Sequence, residues 1–251
     1  ILCIGCQKGS TSWLHSVLNC HPRTAAFPNS EPVTSTSKEA HFWDWNRHRG
    51  IDWYRDLMRP ADPASLTMDF TPEYAALNDS QIAECKALNP TARVIYILRD
   101  PLARAVSAIR MHMLWRFGKE HDQPLRQDET LHALVREAKL AMHGDYLRNL
   151  TAWRRHYPDL LLLNYEDFHT DRAASIAAIH AGLGLDPAEI GPDKRARFDM
   201  LMAGGRIWAS EPFAIERPAL MFLNGLTWPW RRAAETALGL RFTEGERLLR
   251  G

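Results

Sequence analysis

The residues of this chain best suited to chemistry begin in the run GCQKGSTSW over residues 5–13. Gly5 and Gly9 can take backbone angles that other residues resist, and the amides of Ser10, Thr11 and Ser12 fall where a helix would open with unpartnered donors. Such a turn attracts phosphate. Its lysine is displaced relative to a nucleoside triphosphate loop, because G-x-x-x-x-G-K-[ST] carries lysine after the second glycine and Lys8 precedes Gly9. A helix merely capped by Ser10 or Thr11 is the plainer alternative.

A second group of polar residues follows the apolar run at 93–98, where Arg99-Asp100-Pro101 opens a segment with Ala105, Val106, Ile109 and Met113 at helical spacing. Arg99 stands at the end of a strand, and Arg104 and Ser107, three residues apart, can share a helix face. Arg99 and Ser107 together could grip a second anion. Taken alone, an Arg99–Asp100 pair beside a solvated Ser107 explains the same residues. The two units together favour a ligand with two separated phosphates, since parallel α/β sheets place ligands at the carboxyl ends of their strands.

Strand, loop and helix at residues 1–18 and again at 93–113, with a further apolar run at 160–163 and a helix expected over 173–182, predict a single α/β domain over 1–251. The sheet is expected to be mainly parallel and flanked by helices, with a P-loop-like phosphate-binding loop. From about residue 185 the pattern has no clean period. The stretch 217–250, with Trp228, Trp230 and several arginines, reads as a helical cap, an acceptor-binding wall or a partner surface.

With 31 Lys and Arg against 30 Asp and Glu, the net charge of +1 supplies no global field for nucleic acid or an anionic membrane. Cys3, Cys6, Cys20 and Cys85 lack a second pair at zinc spacing and are expected as buried thiols. Asn78-Asp79-Ser80 and Asn149-Leu150-Thr151 match the glycosylation pattern, which is too short to establish a secretory setting. No membrane-length apolar segment is present, so a cytoplasmic location is expected, with a Golgi-lumen type the alternative if an anchor precedes Ile1.

At this point the chain resembles the sulfotransferases that use 3'-phosphoadenosine-5'-phosphosulfate (PAPS). KGSTSW resembles their K-x-G-T-x-W phosphosulfate loop with the small pair reversed, and Arg99 to Ser107 fits their R-D-P-x-x-R-x-x-S motif throughout. KEAHFWD at 38–44, GIDWYRDLM at 50–58, TPEY at 71–74 and the Tyr146 to Trp153 segment are similar to the heparan sulfate 3-O-sulfotransferase type and related bacterial enzymes.

The resemblance implies a donor, PAPS, its product 3'-phosphoadenosine 5'-phosphate (PAP), and no metal. It implies donor contacts from Lys8, Gly9, Ser10, Thr11, Ser12, Trp13, Arg99 and Ser107, with Arg206 in a weaker match to a late K-G-R segment. Sulfuryl transfer to a hydroxyl or amine needs a base, and Glu39 takes that role by resemblance, supported by His41 and Asp44. His41 as the base itself is the alternative. His41 is expected on the same side of an extended segment as Glu39, and Lys8 would stabilise the bridging oxygen of the donor.

A saccharide or small alcohol is the expected acceptor, with Lys38, Trp43 and Phe70 as candidate substrate contacts and Trp45 and Trp53 as further rings for stacking. Phe70 replaces a lysine of the E-K-T-P segment, which speaks against a heparin-like anionic sugar. Two other readings remain: a P-loop nucleotide kinase, which the missing G-K-[ST] opposes, and a silent nucleotide- or glycan-binding module.

Overall fold

The computed structural model describes residues 1–27, 38–205, 207 and 211–250. The first unit is β1 (Leu2–Cys3), the phosphate loop and α1 (Thr11–Leu18). Then come β2 (Thr24–Ala25), α2 (Ile51–Leu57), β3 (Leu66–Thr67), α3 (Asp79–Leu88), β4 (Val94–Leu98) and α4 (Pro101–Phe117). Helices α5 (Glu129–Glu137), α6 (Leu140–Gly144) and α7 (Tyr146–His156) precede β5 (Leu161–Asn164). After it lie α8 (Tyr165–Thr170), α9 (Arg172–Leu183), α10 (Pro192–Met202), α11 (Arg217–Leu238) and α12 (Glu244–Arg250).

Strands β1, β4 and β5 pair in the order β1-β4-β5, β2 pairs with β3, and every one of these pairings is parallel. A parallel bridge between Leu2 and Asp69 joins the two groups into one surface. The expected parallel α/β architecture is therefore what forms. β4 lies between β1 and β5, and its alternation shows why an uninterrupted apolar run was needed there. Val94, Tyr96 and Leu98 enter one buried cluster with Trp43, Tyr54 and Trp153, while Ile95 and Ile97 enter another with Leu14, Phe70 and Ile179.

A third cluster packs α4 against α5 and α11 through Val106, Ile109, Leu134 and Leu223. The stretch 217–250 contains helices α11 and α12, both lying on α4. Asp100 starts α4 by accepting from the amides of Leu102 and Ala103, and Pro101 fills the first position, where no amide is needed. All four cysteines are buried and free. Among the described residues no helix is long and apolar enough to cross a membrane.

Candidate functional site

The loop after β1 is held at the end of the sheet by Cys6 N donating to Ile97 O at 2.8 Å and Ile97 N donating to Gly5 O at 2.8 Å. It then closes on itself, Gly9 N donating to Cys6 O at 3.0 Å. A Cβ at residue 9 would lie 2.8 Å from Cys6 Sγ and 2.9 Å from Cys6 O, so the turn admits only glycine without moving backbone. Lys8 and Ser10 both adopt left-handed backbone angles, φ 67° in each. Ser10 precedes α1 without a side-chain capping bond, which removes the plainer reading in which it merely caps the helix.

Lys8 is the telling residue of this loop. Its Nζ has Met111 Sδ at 3.8 Å as its hydrogen-bond partner, a weak acceptor, and no acidic group pairs with it among the described residues. Burial pushes the ammonium down to about 8, and the neighbouring charge of Arg99 adds to that. Taking such a cation out of water without a counter-ion is costly, and an anion beside it would offset that cost.

Arg99, at the end of β4, donates from Nη1 to Lys8 O at 2.8 Å. The local Arg99–Asp100 pair does not form, because Asp100 is spent on helix amides; Arg99 instead holds both carboxylate oxygens of Glu244, with Nε to Oε2 at 2.8 Å. That pairing outweighs burial and raises the arginine above its usual range. Ser107 lies half-buried two turns into α4. Arg104 is fully buried and donates from Nη2 to Leu140 O at 3.3 Å, facing the interior rather than sharing Ser107's half-exposed position.

Of the other expected donor contacts, Thr11 is buried at the first position of α1, and Ser12 beside it is half-buried. Trp13 requires a correction. Its ring packs against Phe168 in the core and its Nε1 donates to Leu201 O at 3.2 Å, so it braces the helix and α10. Arg206 lies outside the described residues.

The segment carrying the candidate base is a turn where an extended run was expected. His41 has φ 50°, and the amides of Trp45 and Asn46 both donate to its carbonyl oxygen, at 3.0 and 2.7 Å. This left-handed corner brings the His41 ring to its neighbours. Nδ1 lies 2.9 Å from Asp44 Oδ2, and Nε2 lies 3.4 Å from Glu39 Oε2. Lys38 Nζ pairs with the other oxygen, Glu39 Oε1.

Burial would raise the Glu39 carboxyl, but hydrogen bonds from His41 and Lys38 and their charges more than offset it, so its value lies below the usual range. Burial likewise would lower His41, yet Asp44 and Glu39 bring it up to about 9. At neutral pH Glu39 is a carboxylate and His41 an imidazolium. Of the two candidates, then, Glu39 is the unprotonated, basic group and His41 the protonated one. The side-chain atoms of His41, Asp44 and Glu73 lie within 4.8 Å of one another, a spacing that could surround a metal ion.

The turn is anchored by Asp69, a fully buried carboxylate that sequence reasoning did not select. It accepts from Ala40 N at 3.1 Å, Thr71 Oγ1 at 2.7 Å and Tyr74 OH at 3.0 Å, and Thr71 Oγ1 in turn accepts from His41 N at 3.2 Å. The TPEY motif was the available signal: Thr71 and Tyr74 bond to the turn, and burial raises the Glu73 carboxyl opposite the His41 charge. Burial brings the His15 imidazole on α1 down to about 4, the Lys38 charge lowering it further and the Glu39 charge opposing.

Three substrate expectations are also corrected. Lys38 is 8% exposed and its ammonium is taken by Glu39 and Phe70 O, so it orients the Glu39 carboxylate. Trp43 and Phe70 are 1% and 0% exposed, each packed in the core. Phe70 meets His15 edge-on, and its replacement of a lysine bears on packing, leaving no argument about acceptor charge. Trp45 behaves differently: it is 53% exposed, yet its ring stacks on His41 at 3.7 Å with an interplanar angle of 2°.

Comparison with known proteins adds an independent finding. Residues 1–199 match the sulfotransferase domain family. The chain is 30% identical over 189 residues to heparan sulfate glucosamine 3-O-sulfotransferase 3B1 of Mus musculus, covering 72% of this chain and 45% of that protein. It is 31% identical over 204 residues to the bifunctional heparan sulfate N-deacetylase/N-sulfotransferase 2 of Homo sapiens, covering 74% of this chain and 22% of that one. The chain thus spans less than half the length of these relatives. Among solved structures, a sulfotransferase from Alicyclobacillus acidocaldarius shares the fold with TM-score 0.59 at 20% identity, covering 92% of this chain and 98% of that one.

Proposed function

This chain belongs to the sulfotransferase domain family, and from that premise we propose that it moves a sulfuryl group from PAPS to a hydroxyl or amine of a saccharide acceptor. The observation that carries the reading is Lys8, a half-buried ammonium with no counter-ion among the described residues, joined through its own carbonyl to a second cation, Arg99. PAPS supplies the sulfuryl group and a phosphate leaving group when bound. The chain supplies the rest.

Lys8, with the uncapped start of α1 behind it, offers positive charge to the donor's 5' end, where negative charge grows as the S–O bond breaks. Arg99 and Ser107 are assigned to the 3'-phosphate. Glu39 accepts the proton of the attacking acceptor group, and Lys38 and His41 hold one carboxylate oxygen each so that its direction is fixed. Asp44 keeps the His41 ring in register. The acceptor itself is assigned to the Trp45 side of the base, where an exposed indole can take the apolar face of a sugar ring.

Calorimetric titration with PAP, set against ATP with magnesium, tests the donor. Sulfate transfer from labelled PAPS to a panel of saccharides, phenols and lipid alcohols tests the reaction. Preference for ATP would favour the kinase reading, and PAP binding with no transfer to any acceptor would favour a silent binding module.

A further inference from the structure

The last described residues, 243–250, lie beyond the family match at 1–199, and they sit on the second anion site. Glu244 presents a carboxylate to Arg99 from 145 positions away, through Nε to Oε2 at 2.8 Å and Nη2 to Oε1. With Nη1 given to Lys8 O, three of the five guanidinium N–H groups are committed. Arg99 and Glu244 side chains are 13% and 22% exposed, so the pair is largely out of water.

The placement is built from several independent contacts. Glu166, in the first turn of α8, accepts from Thr243 N at 2.6 Å, Thr243 Oγ1 at 2.7 Å and Glu244 N at 3.0 Å. Asp100, beside Arg99, accepts from Gly245 N at 2.9 Å. A Cβ on Gly245 would lie 2.5 Å from Asp100 Oδ1, so only glycine permits this approach. Arg231 on α11 holds Phe242 O from the other side.

An arginine fork recognises carboxylate and phosphate by the same geometry, so Glu244 occupies Arg99 as a phosphate would. A phosphate arriving beside that carboxylate would meet like charge in a poorly solvated place. We propose that residues 243–250 form an intramolecular latch whose Glu244 competes with the donor's phosphate for Arg99, so that donor binding and latch opening are coupled. This rests on the assignment of Arg99 to the donor. Free energy spent opening the latch appears as weaker donor affinity: a latched fraction of about nine-tenths raises the apparent dissociation constant about tenfold.

The test uses the full chain and PAP. Glu244→Gln keeps the shape and removes the charge, and it is expected to bind PAP about tenfold more tightly by calorimetry. Gly245→Ala pushes the segment off Asp100 without touching Arg99 and is expected to act in the same direction, with melting curves confirming that each variant is folded. In the unaltered chain, PAP should raise amide exchange over residues 243–250. If both variants bind PAP no more tightly while Arg99→Ala abolishes binding, the latch is overturned and the donor assignment stands. If PAP binds no variant, or Arg99→Ala leaves its affinity unchanged, the donor assignment at Arg99 fails and the latch fails with it.

Discussion

Arg99 donates from Nη1 to the carbonyl oxygen of Lys8 at 2.8 Å, fastening the end of β4 to the loop after β1 across 91 positions of sequence. Arg99 has Glu244 as its counter-ion, whereas among the described residues no acidic group pairs with Lys8. The electrostatic cost is visible in the lysine, whose ammonium burial and the Arg99 charge bring down to about 8.

A dianion bound there would restore the proton affinity of Lys8. Near pH 8, PAP binding should therefore take up protons, read as a dependence of the calorimetric heat on the buffer's ionisation enthalpy. Affinity should fall as the pH rises through about 8 in the free protein. Lys8→Ala should abolish the uptake and lower turnover by about 100- to 1,000-fold. Uptake that persists in that variant would assign the proton elsewhere.

Glu39→Gln leaves the shape of the turn in place and replaces the basic carboxylate assigned to the acceptor's proton with a non-basic amide. Turnover should fall by about 100- to 10,000-fold while the PAP dissociation constant changes little. Lys38 loses its ion-pair partner in this variant. The melting temperature therefore needs measuring alongside activity, and ordinary turnover in a folded variant would reject the assignment.

His41 should make stability depend on alkaline pH. Its folded value of about 9 exceeds the unfolded value near 6.5, so its contribution is fully present below about 6.5 and is lost as the pH rises through 9. The shift corresponds to about 3 kcal/mol at most. Urea unfolding of the unaltered chain and of His41→Asn should show a stability difference that shrinks between pH 6.5 and 9. Asparagine suits the left-handed backbone at this corner, and although the variant also loses the stack on Trp45, the pH dependence of the difference reports the ring's charge.

Trp45 exposes a large ring whose inner face is already fixed on His41. Trp45→Ala should raise the KM for a ring-bearing acceptor by about tenfold, with Trp45→Phe recovering part of it and PAP affinity unaffected in both. Equal KM values across the three proteins would remove Trp45 from the acceptor side.

Much of the frame was legible because it is local. The apolar run of β4 and the following Asp100-Pro101 announce a buried strand and a helix start within a few residues of one another. The two-residue strands β2 and β3 are too short to leave a periodic signal, and they pair only because their partners arrive beside them. Arg206 is the one expected donor contact on which the described residues bear nothing.

Local pattern was enough for a parallel α/β frame, a glycine-bearing loop with Lys8 in it, and the order of the motifs around Glu39 and Arg99. What each charge meets came from the packing of distant segments. Lys38 turned to the base and Trp43, Phe70 and Trp13 went into the core, while Asp69 and Glu244 came from afar to hold the turn at Ala40 and the guanidinium of Arg99. The physical reason is that periodicity fixes which face of an element is buried, whereas a loop side chain takes its partner from whichever distant segment the packed core brings within a few ångströms.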